Sequence, residues 1–394
     1  MARRKQDGAA SSRKKLKFEH RLVLVNWMLD LFGESSFDGI ARNMRDPAFE
    51  GFGEDGISKF HQCLKLLFDR PELPHDMLLA YDENIVRHWK AITAKRNADG
   101  QVLYPKYFQY LCLLFTEIYL DRWFRDPDKL LADLNAYVAK FNAAETIQQR
   151  VLGELLTTGL PEDAQVPRYT VDDLKKLAFW SATGSGKTLL MHINILQYRH
   201  YLKLHGRENQ LNRIILLTPN EGLSFQHREE FRLSGMDADL FDKDGATLFS
   251  GTAVEIIDIH KLKETSGDKT VAIDAFESRN LVLVDEGHRG ASGTEIGHWM
   301  RMRNQLCEKG FSFEYSATFG QAMKASGNRD LEREYAKCIL FDYSYKYFYG
   351  DGYGKEYRIL NLEDDSNEEH RRRYLTACLL AFYQQQKLFQ EKNA

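Results

Sequence analysis

The run Ser181-Ala-Thr-Gly-Ser-Gly-Lys-Thr188 constrains this chain more than any other feature. It follows an apolar stretch, Leu177 to Trp180, and opens onto Leu189 and Leu190, so a strand passes through a glycine turn into a helix. Gly184 and Gly186 let the backbone curl until successive N–H groups point at one place, and the helix dipole makes that place favourable for an anion. Thr183, Gly184, Ser185, Gly186, Lys187 and Thr188 are therefore candidate phosphate-binding residues. Lys187 is placed to reach the β- and γ-phosphates of a nucleoside triphosphate, and the Thr188 hydroxyl to ligate Mg2+. The pattern G-x-x-x-x-G-K-[ST] is broken only at its first position, where Ser181 stands for Gly.

Such a turn needs a sheet behind it. After residue 170 short apolar runs alternate with amphipathic stretches: Leu177 to Trp180, Arg213 to Thr218, Glu255 to Ile259, Leu281 to Val284 and Phe311 to Tyr315. This texture predicts an α/β domain with a parallel sheet covered on both faces. Asp285 and Glu286 follow the fourth run directly. At a strand's C-terminal end Asp285 is placed to hold Mg2+ through water, and Glu286 to polarise an attacking water. Ser316 and Thr318 end the fifth run, far enough past His288 for one more helix and strand.

The first third reads differently. Leu24, Trp27, Met28 and Leu31 recur at helical spacing, as do Ile57, Phe60, Leu64 and Leu67 with one position shifted. Phe108, Leu111, Cys112, Phe115, Ile118 and Tyr119 form a longer stripe, and Leu131, Leu134, Val138 and Phe141 another. Between them Asp126-Pro-Asp128 predicts a helix end, a turn and a new N-cap. The segment is expected to be all helical, and turn formers in Thr157 to Tyr169 to mark a linker.

Charge refines this outline. The 394 residues carry 54 Lys+Arg against 57 Asp+Glu, a net charge of -3, but residues 1 to 17 hold seven basic residues and one acid. A basic arm thus precedes an acidic body. Five scattered cysteines without a Cys-x-x-Cys argue against a disulfide framework or zinc ribbon and for a reducing, cytoplasmic setting. No signal peptide is read at the N-terminus, and no apolar run reaches the ~18 residues of a membrane span.

Taken together, the motif stretches resemble superfamily 2 helicases and translocases. SATGSGKT is similar to motif I, DEGH to a DEAH-like motif II with Gly287 in place of Ala, SAT to motif III, and Thr218-Pro-Asn-Glu-Gly-Leu-Ser-Phe-Gln226 to motif Ia. The wording DEGHRG, YSATFGQA and FDYSYKYFYGDGYGKEY (341–357) most resembles the motor subunit of type III restriction enzymes and related bacterial defence helicases, over about residues 175–362. The resemblance implies a RecA-like domain using ATP and Mg2+, with Lys187, Asp285 and Glu286 catalytic and Thr188 and Asp285 at the metal. It implies that His288, Ser316 and Thr318 couple nucleotide state to nucleic acid, and that Thr218, Pro219, Asn220 and Gln226 touch a DNA backbone. A methyltransferase or nuclease subunit is an expected partner.

The implied order is a disordered basic arm (1–15), a helical N-terminal domain (16–156), a linker (157–170), the RecA-like domain (171–362) and a helix leading toward a second RecA-like domain (363–394). Nothing after motif III resembles motifs IV to VI or the Gly-Arg-x-x-Arg arginine finger, so that second domain is expected to be missing and hydrolysis by the isolated chain to be poor. The tyrosines of 343–357 read either as a base-stacking surface or as a β-hairpin around Gly350-Asp-Gly352. Trp180 reads as core. Two other classes stay open: a non-motor ATP-binding scaffold and an RNA helicase.

Overall fold

Each apolar stripe of the first third lies on a helix. In the computed structural model these are α1 (Val23–Leu31), α2 (Phe37–Ala41), α3 (Lys59–Leu67), α4 (His75–Thr93), α5 (Tyr107–Arg125) and α6 (Pro127–Asn142). The structure describes residues 17–146, 160, 162–241, 253–263, 271–272, 276–286, 294–354 and 367–393; the basic arm lies outside them. Asp126 caps α6 by accepting from the Lys129 N–H at 2.9 Å, with Pro127 in the first turn where its missing N–H costs nothing. The α3 stripe is shorter than its spacing suggested: Phe60 and Leu64 are buried, but Leu67 is exposed.

The five apolar runs all become strands of one parallel sheet. Its strands are β1 (Lys176–Ser181), β2 (Arg213–Thr218), β3 (Ala238–Leu240), β4 (Val254–Asp258), β7 (Asn280–Asp285), β8 (Phe311–Ser316) and β9 (Ile339–Tyr343), in the order β3-β4-β2-β7-β8-β1-β9. A small separate pair, β5 (Leu262–Lys263) and β6 (Val271–Ala272), lies between β4 and β7 in the chain. Residue alternation sends Ile214, Leu216, Leu281 and Leu283 into one core and Ile215, Leu217, Val282 and Val284 into the other. The second core is closed by Met302 and Leu306 of α9 (Thr294–Leu306).

The first core continues into the helical segment. α7 (Lys187–Leu204) lies under the sheet, and α4 and α5 pack against it while α1 packs on β9. Buried polar groups stitch these layers. Glu117 accepts from Asn84, Gln197 and Tyr201, and Asn194 bridges Gln197 to the Tyr315 hydroxyl on β8. By its contacts the chain divides after Phe348 into two compact units.

β9 was not read from the sequence, and the expected hairpin around Gly350-Asp-Gly352 is not formed. After α10 (Phe319–Ser326), α11 (Arg329–Cys338) and β9 the chain instead turns into α12 (Tyr345–Gly350). Asp342 accepts from the Ser344 N–H, and the Tyr347 and Phe348 N–H groups reach back to the Ser344 carbonyl, which starts a helix where a hairpin would need extension. The aromatics pack on the helical segment: Tyr343 stacks on Phe108 at 4.0 Å and Tyr347 meets Phe37 edge-on at 5.1 Å. In the second unit α13 (Glu368–Asn393) is a long helix with Glu368–Arg372 and Glu369–Arg373 pairs on its surface. No helix among the described residues is long and apolar enough to cross a membrane.

Candidate functional site

Topology fixes where the site lies. The chain leaves β1 toward β2 and leaves β8 in the opposite direction, toward β9, although β1 and β8 are neighbours. Connections that run in opposite directions from neighbouring strands pass on opposite faces of the sheet and leave a crevice at the strands' C-terminal ends, where α/β proteins bind ligands. Register then aligns the motif ends: Asp285 pairs with Tyr315, and Ser316 with Trp180. Three stretches far apart in sequence thus end side by side.

The glycine loop takes the expected path. Gly184 and Gly186 adopt φ of +86° and +87°, conformations a side-chain-bearing residue rarely holds, and Gly186 caps α7. The Ala182 N–H donates to the Tyr343 carbonyl, and the Ser185 N–H to the Ala182 carbonyl. Lys187 turns inward: its Nζ lies 3.5 Å from the Ser181 carbonyl and 3.7 Å from Glu286 Oε1. Thr188 follows in the first turn of α7. Trp180 is buried, as expected of a core residue, and donates to the Ala317 carbonyl.

Glu286 departs from ordinary backbone, with φ of +56°. For a residue carrying a side chain this left-handed conformation stores strain, and it stands where the β7 strand ends and its carboxylate faces Lys187. Asp285 is buried with both oxygens engaged: Oδ1 accepts from the Glu286 N–H at 3.1 Å, and Oδ2 lies 2.9 Å from His227 Nε2. His227 belongs to α8 (Glu221–Leu233), one residue beyond the end of the motif Ia stretch, and sequence reasoning missed it because a single histidine after Gln226 carries no pattern.

On β8, Ser316 Oγ accepts from the Thr318 N–H at 3.0 Å. His288 lies outside the described residues. Among the motif Ia residues, Thr218 is buried with its hydroxyl 2.6 Å from that of Ser224, and Asn220 caps α8 by accepting from the Leu223 N–H. Pro219 lies between them, buried, while Asn220 and Gln226 are exposed. Thr218 and Asn220 therefore each have work at a strand-to-helix junction.

Behind the site a second polar layer runs to the helical segment. His192 on α7 meets Ser234 Oγ at 2.7 Å, Arg96 donates to the same hydroxyl, and Arg96 pairs with Glu230 at 2.6 Å. Burial holds the His192 imidazole well below its ordinary pKa, and the nearby His227 adds to the effect. A separate contact reaches the glycine loop itself, from Gln109 Nε2 to the Ser185 carbonyl.

The residues fit a metal-bound triphosphate. Ser181 Oγ, Ser185 Oγ and Thr318 Oγ1 are buried without a protein partner around the loop, polar groups that a phosphate or ordered water would satisfy. Among the described residues no group of three or more His, Cys, Asp or Glu could cage a metal. Mg2+ commonly takes one or two protein ligands and completes its shell with water and substrate phosphates, and Thr188 and Asp285 are the residues that could hold it here.

With this geometry in place, the comparison with known families is specific. Residues 139–321 match the family model described as type III restriction enzyme, res subunit, a span that takes in the glycine loop, the motif Ia stretch, the Asp285-Glu286 strand end and Ser316-Ala-Thr318. No curated protein matches the chain. The matched segment is a superfamily 2 helicase-like domain of the helicase-type ATPase family.

Proposed function

We propose that this chain is the ATP-binding part of a DNA helicase or translocase motor in a restriction or phage-defence system, coupling hydrolysis of ATP to movement on DNA. The observation that carries the reading is Lys187 facing Glu286 across a crevice in which Asp285, Ser316 and Ser181 end adjacent strands. Lys187 and the loop N–H groups would bind the phosphates, and Thr188 and Asp285 would hold Mg2+. When bound, the metal neutralises charge on the β- and γ-oxygens. Arrival of phosphate would give Lys187 a stronger partner than Glu286, and that carboxylate would then orient a water for in-line attack.

Ser316 and Thr318, one strand away, would relay the change in charge, with His288 as a further coupling candidate. Asn220 and Gln226 are the surface candidates for contacts to a nucleic-acid backbone, with Thr218 and Pro219 shaping the junction behind them. A second RecA-like domain and a methyltransferase or nuclease subunit are the partners this reading calls for. The helical segment and the RecA-like domain, with a boundary in 157–170, are read as functional divisions laid over a shared core.

The test is ATP hydrolysis by the purified chain, alone and supplied with a second RecA-like domain, with duplex DNA, single-stranded DNA or RNA, compared with Glu286→Gln. Stimulation by DNA that the variant loses while still binding ATP supports the proposal. Stimulation by RNA alone would reassign the substrate, and ATP binding with no response to any nucleic acid would favour a nucleotide-sensing scaffold.

A further inference from the structure

The glycine loop is held from outside by a residue that no motif marks. Gln109, in the first turn of α5, donates from Nε2 to the Ser185 carbonyl at 2.9 Å, and its Oε1 accepts from the Lys106 N–H at 2.9 Å. These two bonds fix the amide's orientation, because turned over it would set nitrogen against an N–H and oxygen against a carbonyl. Gln109 is 8% exposed, so neither bond is readily replaced by water. It also fits closely beneath the loop: a Cβ on Gly186 would come 2.3 Å from Gln109 Nε2. Gly186 is thus required by its φ of +87°, and the Gln109 amide packs closely against it.

Peptide geometry gives the contact a consequence. In a trans peptide the C=O and N–H point to opposite sides. Tying the Ser185 carbonyl to α5 turns the Gly186 N–H away from α5, to the side on which a phosphate cradle must present its donors. The neighbouring residue secures the loop's other end, since Phe108 stacks on Tyr343, whose carbonyl accepts the Ala182 N–H. We infer that Gln109 is a positioning residue that pre-organises the phosphate cradle, so that the helical segment is part of the nucleotide site. This rests on reading 181–188 as a phosphate site.

The experiment compares binding of ATP and of inorganic tripolyphosphate, each with Mg2+, to the full chain and to Gln109→Met and Gln109→Glu. Methionine keeps the length and removes the donor. Glutamate keeps the bond from Lys106 but sets an oxygen against the Ser185 carbonyl. Both ligands should weaken by a similar factor of about tenfold or more, as expected when a buried carbonyl loses its donor. Hydrogen exchange of the 182–188 amides should quicken in both variants, a change that loss of packing elsewhere would not confine to the loop. Should the methionine variant fail to fold, the glutamate variant decides. Unchanged affinities and exchange would overturn the inference, as would a loss for ATP but not for tripolyphosphate, which would make Gln109 a reader of the base. A wild-type chain that binds neither ligand refutes the phosphate-site reading and this inference with it.

Discussion

Replacing Glu117 with Gln should reverse the order of stability between variant and wild type as pH rises. Glu117 is fully buried where α4, α5 and α7 meet, and burial pushes its carboxyl up from 4.5 to about 7, against the donors from Tyr201, Gln197 and Asn84. Because the folded-state pKa lies above the unfolded one, the folded chain keeps a proton that the unfolded chain has released. The associated stability is fully present below pH 4.5 and is lost as pH rises through about 7. At 1.36 kcal/mol per pH unit the loss comes to about 3 kcal/mol. Glutamine cannot ionise and so escapes it. Its oxygen can accept from Asn84 and Gln197, but its nitrogen faces the Tyr201 hydroxyl and displaces that donor, at roughly 1 kcal/mol. The variant should therefore be about 1 kcal/mol less stable below pH 4.5 and about 2 kcal/mol more stable at pH 8. Urea unfolding across that range measures both. A difference that stays constant with pH would refute the reasoning.

Two further substitutions probe other layers. His227→Ala should weaken Mn2+ or Mg2+ binding to the nucleotide complex by about 10- to 100-fold, because the buried Asp285 carboxylate loses its orienting partner. His227→Gln should restore much of it, metal-free nucleotide binding should not change, and electron paramagnetic resonance of Mn2+ reads the outcome; equal metal affinity in the alanine variant counts against the role. Within β8, Glu314 is buried between Arg303 and Lys176 and held below the usual carboxylate range by them. Glu314→Gln leaves two cations sharing Glu334 and should cost about 3 kcal/mol in denaturant unfolding. A loss under 1 kcal/mol would show that Glu334 alone compensates both.

The parts of this molecule that were legible in the sequence are those whose physics repeats. Ile214 to Leu217 and Leu281 to Val284 are uninterrupted apolar runs because both faces of their strands are covered, and the α5 stripe marks one buried face of a helix. Asp126 and Pro127 announced a helix start because capping depends on residue type at one position. The glycine loop was legible for the same reason, since φ near +87° all but names the residue.

What stayed hidden depends on single side chains meeting across the chain. Gln109, Glu117 and His227 each sit in helices whose spacing says nothing of their partners 76, 80 or 58 residues away. The tyrosine-rich stretch misled because aromatic residues suit strands, yet Ser344 and Asp342 bend it into a helix against Phe37 and Phe108. The packing of the helical segment onto α7 was hidden for a related cause: a stripe shows that a face is buried without showing against what.

Nucleotide binding by Lys187→Ala tests the central claim most directly. Titration of a fluorescent ATP analogue should show saturable binding to the wild-type chain that tightens with Mg2+. The variant, whose loop has lost the cation 3.7 Å from Glu286, should bind at least about tenfold more weakly while unfolding at the same denaturant concentration. Equal affinity in a folded Lys187→Ala chain would contradict the account.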